Sequence, residues 1–500
     1  MTCTGDLVSA IAELEVESCL LDPGSDQRQI LTAEVSSCAE DFLQTLATPS
    51  EKAYLHPEPG QLLTQQDGLI PEEPTDIDQL LREFRTTIGD VGLRAGHGGH
   101  VGYIGTGGVF PSALGDFLAA SFNPYSAIAS ISPGGVQMNN MLLKWMATLF
   151  GYPEGHAGNL TSGGTAAILI AMATARDARK LHSKDFHRAV VYVTKITHHC
   201  YAKALNVIGM YHCIRREVPM DSSYRMDPSR LDGLINEDIK NNLIPFMIIG
   251  TIGTTDVGSV DQVSALADVA THHGVWFHVD AAYGGFFSLC DSTRHFFSGV
   301  DRSDSIVVDP HKGLFLPYGT GVVLVREGHL LLQSNTAHSP GVCVQDATAR
   351  CDSISPFQLS FELTTHFRAP RMWLPLKLFG LKPFRSALEE KLLLAKYFYH
   401  KVQEIPGITS LKPPDLSVVV FHYHDTSPGG STDGFNRQLL DAILKDGRIF
   451  LSSTTVDGVF RLRICVLTFR THLAHIDICL NVIKECISKV KEKQLRSVKC

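Results

Sequence analysis

Two ionisable residues stand where a carbonyl-reactive centre could be built. Asp280 closes the apolar run V-W-F-H-V and is followed by Ala281, Ala282, Tyr283, Gly284 and Gly285. Lys312 follows the run S-I-V-V and the residues Asp309, Pro310 and His311. Open α/β sheets present the carboxyl ends of their buried strands to ligands. A lysine at such a place is exposed to desolvation, which lowers its pKa and suits it to attack a carbonyl. A third stretch, T-S-G-G-T-A-A at 161–167, runs straight into an apolar helical segment. Glycines ahead of a helix leave backbone N–H groups free to meet an anion, and the helix dipole favours phosphate there. Ser162 and Thr165 add hydroxyls. The stretch has neither the lysine of a P-loop nor the spacing of a dinucleotide fingerprint, so the expected ligand is a cofactor with a single phosphate. Taken singly, these are an ordinary surface lysine, a helix cap and a capped helix start. In this order they are the parts pyridoxal phosphate requires: a cradle for its phosphate, a carboxylate to keep the pyridine nitrogen protonated, and a lysine to carry it. His198, just past the apolar run 189–194, is placed to stack on the ring.

The elements that would hold these residues are legible as short apolar runs at 189–194, 245–252, 275–279, 305–308 and 321–325. Each is nearly continuous in apolar character and rich in β-branched residues, as expected of strands buried on both faces. Helical stretches such as 164–182 and 261–273 separate them, which predicts a mostly parallel sheet. A helical pattern at 382–404 precedes strand, helix, hairpin and helix signals over 415–500, read as a smaller α/β domain. Upstream, helices are expected over about 6–21 and 26–46, followed by a loop punctuated by Pro49, Pro57, Pro59, Pro71 and Pro74. The expected organisation is an N-terminal helical arm at 1–90, a large cofactor-binding domain at 91–375 and a small C-terminal domain at 376–500.

Composition excludes several classes. The 500 residues are 44% hydrophobic and 19% charged, so the chain is neither disordered nor fibrous. The net charge of −8 offers nothing for nucleic acid or an anionic membrane, and no apolar run is long enough to span a bilayer. Asp6, Glu13, Glu15 and Glu17 have the wrong sign for a leader, and twelve scattered cysteines suggest reduced thiols, so a cytoplasmic location is expected. His198, His199, Cys200, His212 and Cys213 match no usual zinc spacing, and no metal is expected.

The stretches T-S-G-G-T, H-V-D-A-A-Y-G-G and D-P-H-K, with their order and spacing, resemble the pyridoxal-phosphate-dependent amino-acid decarboxylases related to the aromatic-amino-acid and glutamate enzymes. The likeness runs from about Gly99 to Arg470 and takes in H-V-G-Y-I-G at 100–105, S-P-G-G at 132–135, T-I-G-T-T at 251–255, F-R-A-P-R-M-W-L at 367–374 and R-L-R at 461–463. It implies the fold type I architecture, a seven-stranded, mostly parallel sheet in the large domain, and a homodimer with active sites at the interface. Lys312 would be the Schiff-base lysine, Asp280 the partner of the pyridine nitrogen, and His198 and Ala282 would flank the ring. Gly163, Gly164 and Thr165 would hold the phosphate with help from Asp309 and His311, and Thr255 would lie beside the cofactor. Arg463, Tyr103 and Asn123 match residues at the substrate mouth.

The implied reaction is decarboxylation of an L-amino acid to the amine and CO2, a role in amino-acid metabolism. Two stretches depart from the family pattern: Q-M-N at 137–139, where relatives usually carry glutamates, and a loop further on. Relatives carry a tyrosine in the region corresponding to 335–355, held to protonate Cα; here no tyrosine occurs, and Cys343 takes its apparent place, with His338 nearby. Loss of that tyrosine accompanies oxygen-consuming conversion to an aldehyde in relatives. An aldehyde synthase or lyase is therefore the alternative, and a catalytically silent paralogue a further one. Intact Lys312, Asp280 and His198 speak against the last.

Overall fold

The computed structural model describes residues 4–58, 61, 70–105, 107–336, 354–426 and 431–499. The chain divides into two compact units, Met1–Arg94 and Ala95–Cys500. In the first, α1 (Thr4–Ser18), α2 (Ser25–Ala47) and α3 (Ile77–Phe84) accompany a two-residue antiparallel ribbon pairing Tyr54–Leu55 with Gly92–Leu93. Asp76 begins α3 by accepting from the Asp78 and Gln79 amides, as a side-chain cap should. The apolar stripe Leu7, Ile11 and Leu14 of α1 is exposed.

The second unit is built on a seven-stranded sheet of β1 (Ala157–Thr161), β2 (Ala189–Val193), β3 (Ile214–Glu217), β4 (Ile244–Thr251), β5 (Trp276–Asp280), β6 (Ser305–Val308) and β7 (Gly321–Val325). Their spatial order is β1-β7-β6-β5-β4-β2-β3, and only β7 runs against its neighbours. Successive residues of a strand face opposite sides, and both sides are dry. Tyr192, Ile248, Phe277, Ile306 and Leu324 feed one core, while Val191, Ile249, Trp276, Val307 and Val323 feed the other. That is why these runs are apolar throughout rather than alternating. Helices cover both faces, among them α4 (Phe110–Phe122), α5 (Pro133–Leu149), α6 (Gly164–Ala178), α7 (Cys200–Val207), α8 (Pro228–Lys240) and α9 (Val263–His273).

A smaller antiparallel sheet follows, ordered β8 (Ile408–Ser410), β9 (Val418–Tyr423), β11 (Val459–Cys465) and β10 (Ser452–Val456). Asp457 and Gly458 join the hairpin β10–β11, both with positive φ, at 52° and 76°, the backbone that a two-residue Asp-Gly turn supplies. Further helices are α10 (Gly328–Asn335), α11 (Ala369–Phe379), α12 (Leu381–Gln403), α13 (Thr432–Asp446) and α14 (Leu473–Lys499). The five expected strands are present; β1 and β3 were not expected. Residues 337–353, most of the region read as departing from the family pattern and including His338 and Cys343, lie outside the described residues.

Candidate active site

The chemistry-bearing residues all follow the carboxyl ends of parallel strands. Thr251, the last residue of β4, sits opposite Asp280, the last of β5. Asp309 follows β6 and leads into a helical turn, Pro310–Gly313, that carries Lys312. Beyond β1, Ser162 and Gly163 lead into the first turn of α6. His198 lies between β2 and α7. These ends enclose a cavity of about 330 Å³ whose lining includes Gly163, Gly164, Thr165, His198, Thr255, Asp280, Ala282, Asp309, His311 and Lys312. All ten residues expected at a cofactor are therefore brought together.

Close backbone packing shapes the side of the cavity at the start of α6. A Cβ on Gly321, the first residue of β7, would lie 2.4 Å from the carbonyl carbon of Gly163, and one on Gly164 would lie 2.8 Å from Asp309 Oδ2. Only glycine lets the turn before α6 approach so closely, leaving the first N–H groups of the helix facing the cavity.

Electrostatics corrects one expectation. Burial alone would lower the Lys312 pKa, but the Asp309 carboxylate, 2.9 Å from Nζ, and Asp280 outweigh it and hold the amine above the ordinary lysine value. Lys312 thus stands as a charged partner of Asp309, not as a free amine. Asp309 is itself buried, and its Oδ1 has no hydrogen-bond partner. A carboxylate cannot donate to a phosphate, so the expected help from Asp309 at the phosphate is replaced by a hold on Lys312. Burial raises Asp280, opposed by Lys312, by the Ala282 amide at 3.1 Å and by His198. Burial lowers His198, whose Nδ1 accepts from the Cys200 amide at 3.3 Å; the neutral ring therefore carries its proton on Nε2. His311 donates from Nδ1 to the Thr320 carbonyl at 2.6 Å.

The three residues expected at the substrate mouth are placed differently. Arg463 is buried and donates to the Thr255 carbonyl at 2.7 Å, the Tyr103 carbonyl at 2.9 Å and Ser452 Oγ at 3.1 Å, while its Nη2 has no partner. It ties together two segments flanking the cavity without lining it. Tyr103, with φ of 47°, packs its exposed ring near Phe450. Asn123 is exposed and ends α4 in a left-handed conformation, away from the cavity lining. Sequence reasoning missed Cys200, Thr251 and Tyr283, which also line the cavity. Thr251 was findable only as a polar residue at the end of the apolar run 245–252.

An amine, a buried carboxylate, an imidazole and a helix start around one cavity fit a phosphorylated pyridine aldehyde. Comparison with known proteins agrees. Residues 59–424 match the family model described as the pyridoxal-dependent decarboxylase conserved domain. The aromatic-L-amino-acid decarboxylase of Bacillus atrophaeus is 30% identical over 408 residues, covering 80% of this chain and 84% of that protein. The phenylacetaldehyde synthase of Petunia hybrida is 26% identical, covering 85% and 88%. The crystal structure of Oryza sativa TDC with PLP and tryptamine superposes with a TM-score of 0.87 at 23% identity, covering 94% of this chain and 99% of that one. Fold and site define a pyridoxal-phosphate enzyme of fold type I. The chain belongs to the pyridoxal-dependent decarboxylase family, whose members in these comparisons include both amino-acid decarboxylases and an aldehyde synthase.

Proposed function

We propose that this protein decarboxylates an L-amino acid to the amine and CO2, with Lys312 as the residue that carries the cofactor. The observation behind this reading is the convergence of Lys312, Asp280 and His198 on one cavity, opposite the first turn of α6. Pyridoxal phosphate, when bound, supplies an electron sink for the bond broken at Cα. The backbone around Gly163, Gly164 and Thr165 binds its phosphate, with His311 at the edge of the cradle. The Asp280 carboxylate holds a proton at the pyridine nitrogen. His198 and Ala282 flank the two ring faces, and Thr255 lies beside the ring. Asp309 orients the Lys312 amine. Arg463 fixes the Tyr103 and Thr255 backbones and so acts as a positioning residue beside the cavity.

A second reading rests on a specific observation, the absence of any tyrosine in 335–355. Without that acid, Cα protonation falls to His338 or Cys343, or the reaction diverts to an aldehyde, consuming O2 and water and releasing CO2, ammonia and hydrogen peroxide. The test is a product assay on holoenzyme offered the common amino acids, cysteine sulfinate, cysteate and dihydroxyphenylalanine. CO2 and amine without ammonia or peroxide support the first reading. Stoichiometric ammonia and peroxide support the second, and Cys343→Tyr then restores amine. No product from any substrate counts against both and favours a silent paralogue.

We further propose a division near residue 375 between a large and a small domain, and a homodimer, which the exposed apolar stripe of α1 would suit. Light scattering at micromolar concentration that returns the monomer mass would count against the dimer. No helix among the described residues is long and apolar enough to cross a membrane, in keeping with a proposed cytoplasmic location.

A further inference from the structure

The proposed mechanism leaves unused an ion pair that two helices build close to the cavity. A Cβ on Gly115 of α4 would lie 2.5 Å from the Pro370 carbonyl oxygen and 2.8 Å from the Cα of Arg371 in α11. Only glycine permits that approach, and it brings the neighbouring side chains Asp116 and Arg371 together. Arg371 Nε donates to Asp116 Oδ1 at 2.7 Å, and the two side chains are only 11% and 27% exposed. His366 Nε2 lies 3.1 Å from the same oxygen. Another arm of the guanidinium reaches the segment before β7. Its Nη1 donates to the Tyr318 carbonyl at 3.2 Å and to Thr320 Oγ1 at 3.1 Å. Between those two acceptors Gly319 has a φ of 100°, and a Cβ there would lie 3.1 Å from Nη1. The backbone thus turns closely around Arg371.

Thr320 carries this constraint to the cavity. It is fully buried, and its carbonyl accepts from His311 twice, from Nδ1 at 2.6 Å and from the backbone N–H at 3.4 Å. A carbonyl can only accept, so Nδ1 holds a proton and the Cε1–Nε2 edge of the ring is turned away from Thr320. That edge faces the start of α6. A Cβ on Gly163 would lie 3.7 Å from Cε1, and Nε2 lies 3.8 Å from Asp309 Oδ2.

We propose that Arg371, anchored by Asp116, is a positioning residue for the phosphate end of the cofactor site. It fixes the Tyr318–Thr320 segment, and through the Thr320 carbonyl it sets the aim of His311 beside Gly163. The inference rests on the reading of Gly163, Gly164 and Thr165, with His311, as the phosphate cradle. A ring already held in place loses little rotamer freedom when an anion arrives, so the cradle is preorganised before it is filled. A lysine at 371 would keep the charge but not the planar fork that spans Asp116 on one side and two acceptors on the other. In the sequence Arg371 is only one letter of F-R-A-P-R-M-W-L, and its partner lies 255 residues earlier.

The experiment titrates the full-length chain, stripped of cofactor, with pyridoxal 5′-phosphate and with pyridoxal, the same aldehyde without the phosphate. The quantity read is the ratio of the two dissociation constants, which a general loosening of the fold leaves alone because it weakens both. Arg371→Gln is expected to weaken pyridoxal 5′-phosphate about tenfold, the scale of one hydrogen bond to a charged group, and to leave pyridoxal unchanged. In a His311→Ala background the same substitution is expected to move the ratio no further, because it acts through that ring. An unchanged ratio in Arg371→Gln, or an equal loss with His311 absent, overturns the inference. Should Arg371→Gln fail to fold, Asp116→Asn, which keeps the shape of the side chain, is read in the same way. His311→Ala alone separates the two levels of the argument. An unchanged ratio there overturns the reading of the cradle and the inference with it; a loss there, with none in Arg371→Gln, overturns the inference alone.

Discussion

Asp309→Asn tests the charge balance at the lysine directly. In the folded chain Asp309 Oδ2 lies 2.9 Å from Lys312 Nζ, and the two side chains are 3% and 23% exposed. Removing the carboxylate's charge leaves burial as the dominant influence, so the lysine pKa should fall. A hydrogen bond to a charged group contributes roughly 1.5–3 kcal/mol, and one pKa unit corresponds to about 1.4 kcal/mol. At a fixed pH the fraction of unprotonated amine should therefore rise by roughly ten- to a hundredfold. The assay mixes cofactor-free protein with pyridoxal phosphate across pH, traps the adduct with borohydride, and locates it on the Lys312 peptide by mass spectrometry. The pH midpoint of capture reports the lysine, whereas the amplitude also responds to relief of repulsion between Asp309 and the phosphate. A midpoint that is unchanged or higher in Asp309→Asn would refute the claim that this carboxylate holds the amine protonated.

Other expectations are as specific. Gly321→Ala places a Cβ against the Gly163 backbone; overpacking of this kind costs about 1–3 kcal/mol, and a titration of cofactor absorbance should show weaker binding together with a lower Tm. Arg463→Lys cannot keep three directed contacts, so substrate KM should rise about tenfold or more while cofactor affinity changes little. Burial holds His278, His475 and His422 down to about 3, 4 and 4. Each is neutral in the fold but charged in the unfolded chain once the pH drops below about 6.5, so its stabilisation is whole above that value and is lost on acidification. Asp261, pushed up to about 6, acts in the opposite sense between about 6 and 4. With three groups against one, Tm should fall between pH 6.5 and 4.5, and His475→Gln should make that fall shallower; a flat profile would contradict it.

Much of the site was legible because it lies where apolar runs end. Asp280, Asp309 and Lys312 each follow a run buried on both faces, and burial on both faces is what continuous apolar character records. The two strands that went unread lack that signature. β3, I-R-R-E, is a sheet edge with alternating exposure, and β1, A-G-N-L-T, has a glycine and an asparagine at its centre. The sign of the Lys312 shift was misread for a different reason. Desolvation is inferred from position, but its compensation requires a partner, and that partner was Asp309, three residues earlier and brought round by a single helical turn. The spacing D-P-H-K held this information.

The reversal of β7 has a consequence for what the cavity can measure. Its first two residues are laddered on both sides, Gly321 to Thr161 of β1 and Val322 to Val308 of β6. The turn before α6 starts immediately after Thr161, and the segment carrying the lysine starts immediately after Val308. The separation between the start of the lysine-bearing segment and the turn before α6 is therefore set by main-chain hydrogen bonds. The cavity works as a fixed gauge for the length of whatever molecule spans those two points. Diversification of substrate can proceed at the mouth without recalibrating the gauge, whereas a one-residue insertion between Val308 and Gly321 would spoil it while leaving every functional side chain in the sequence.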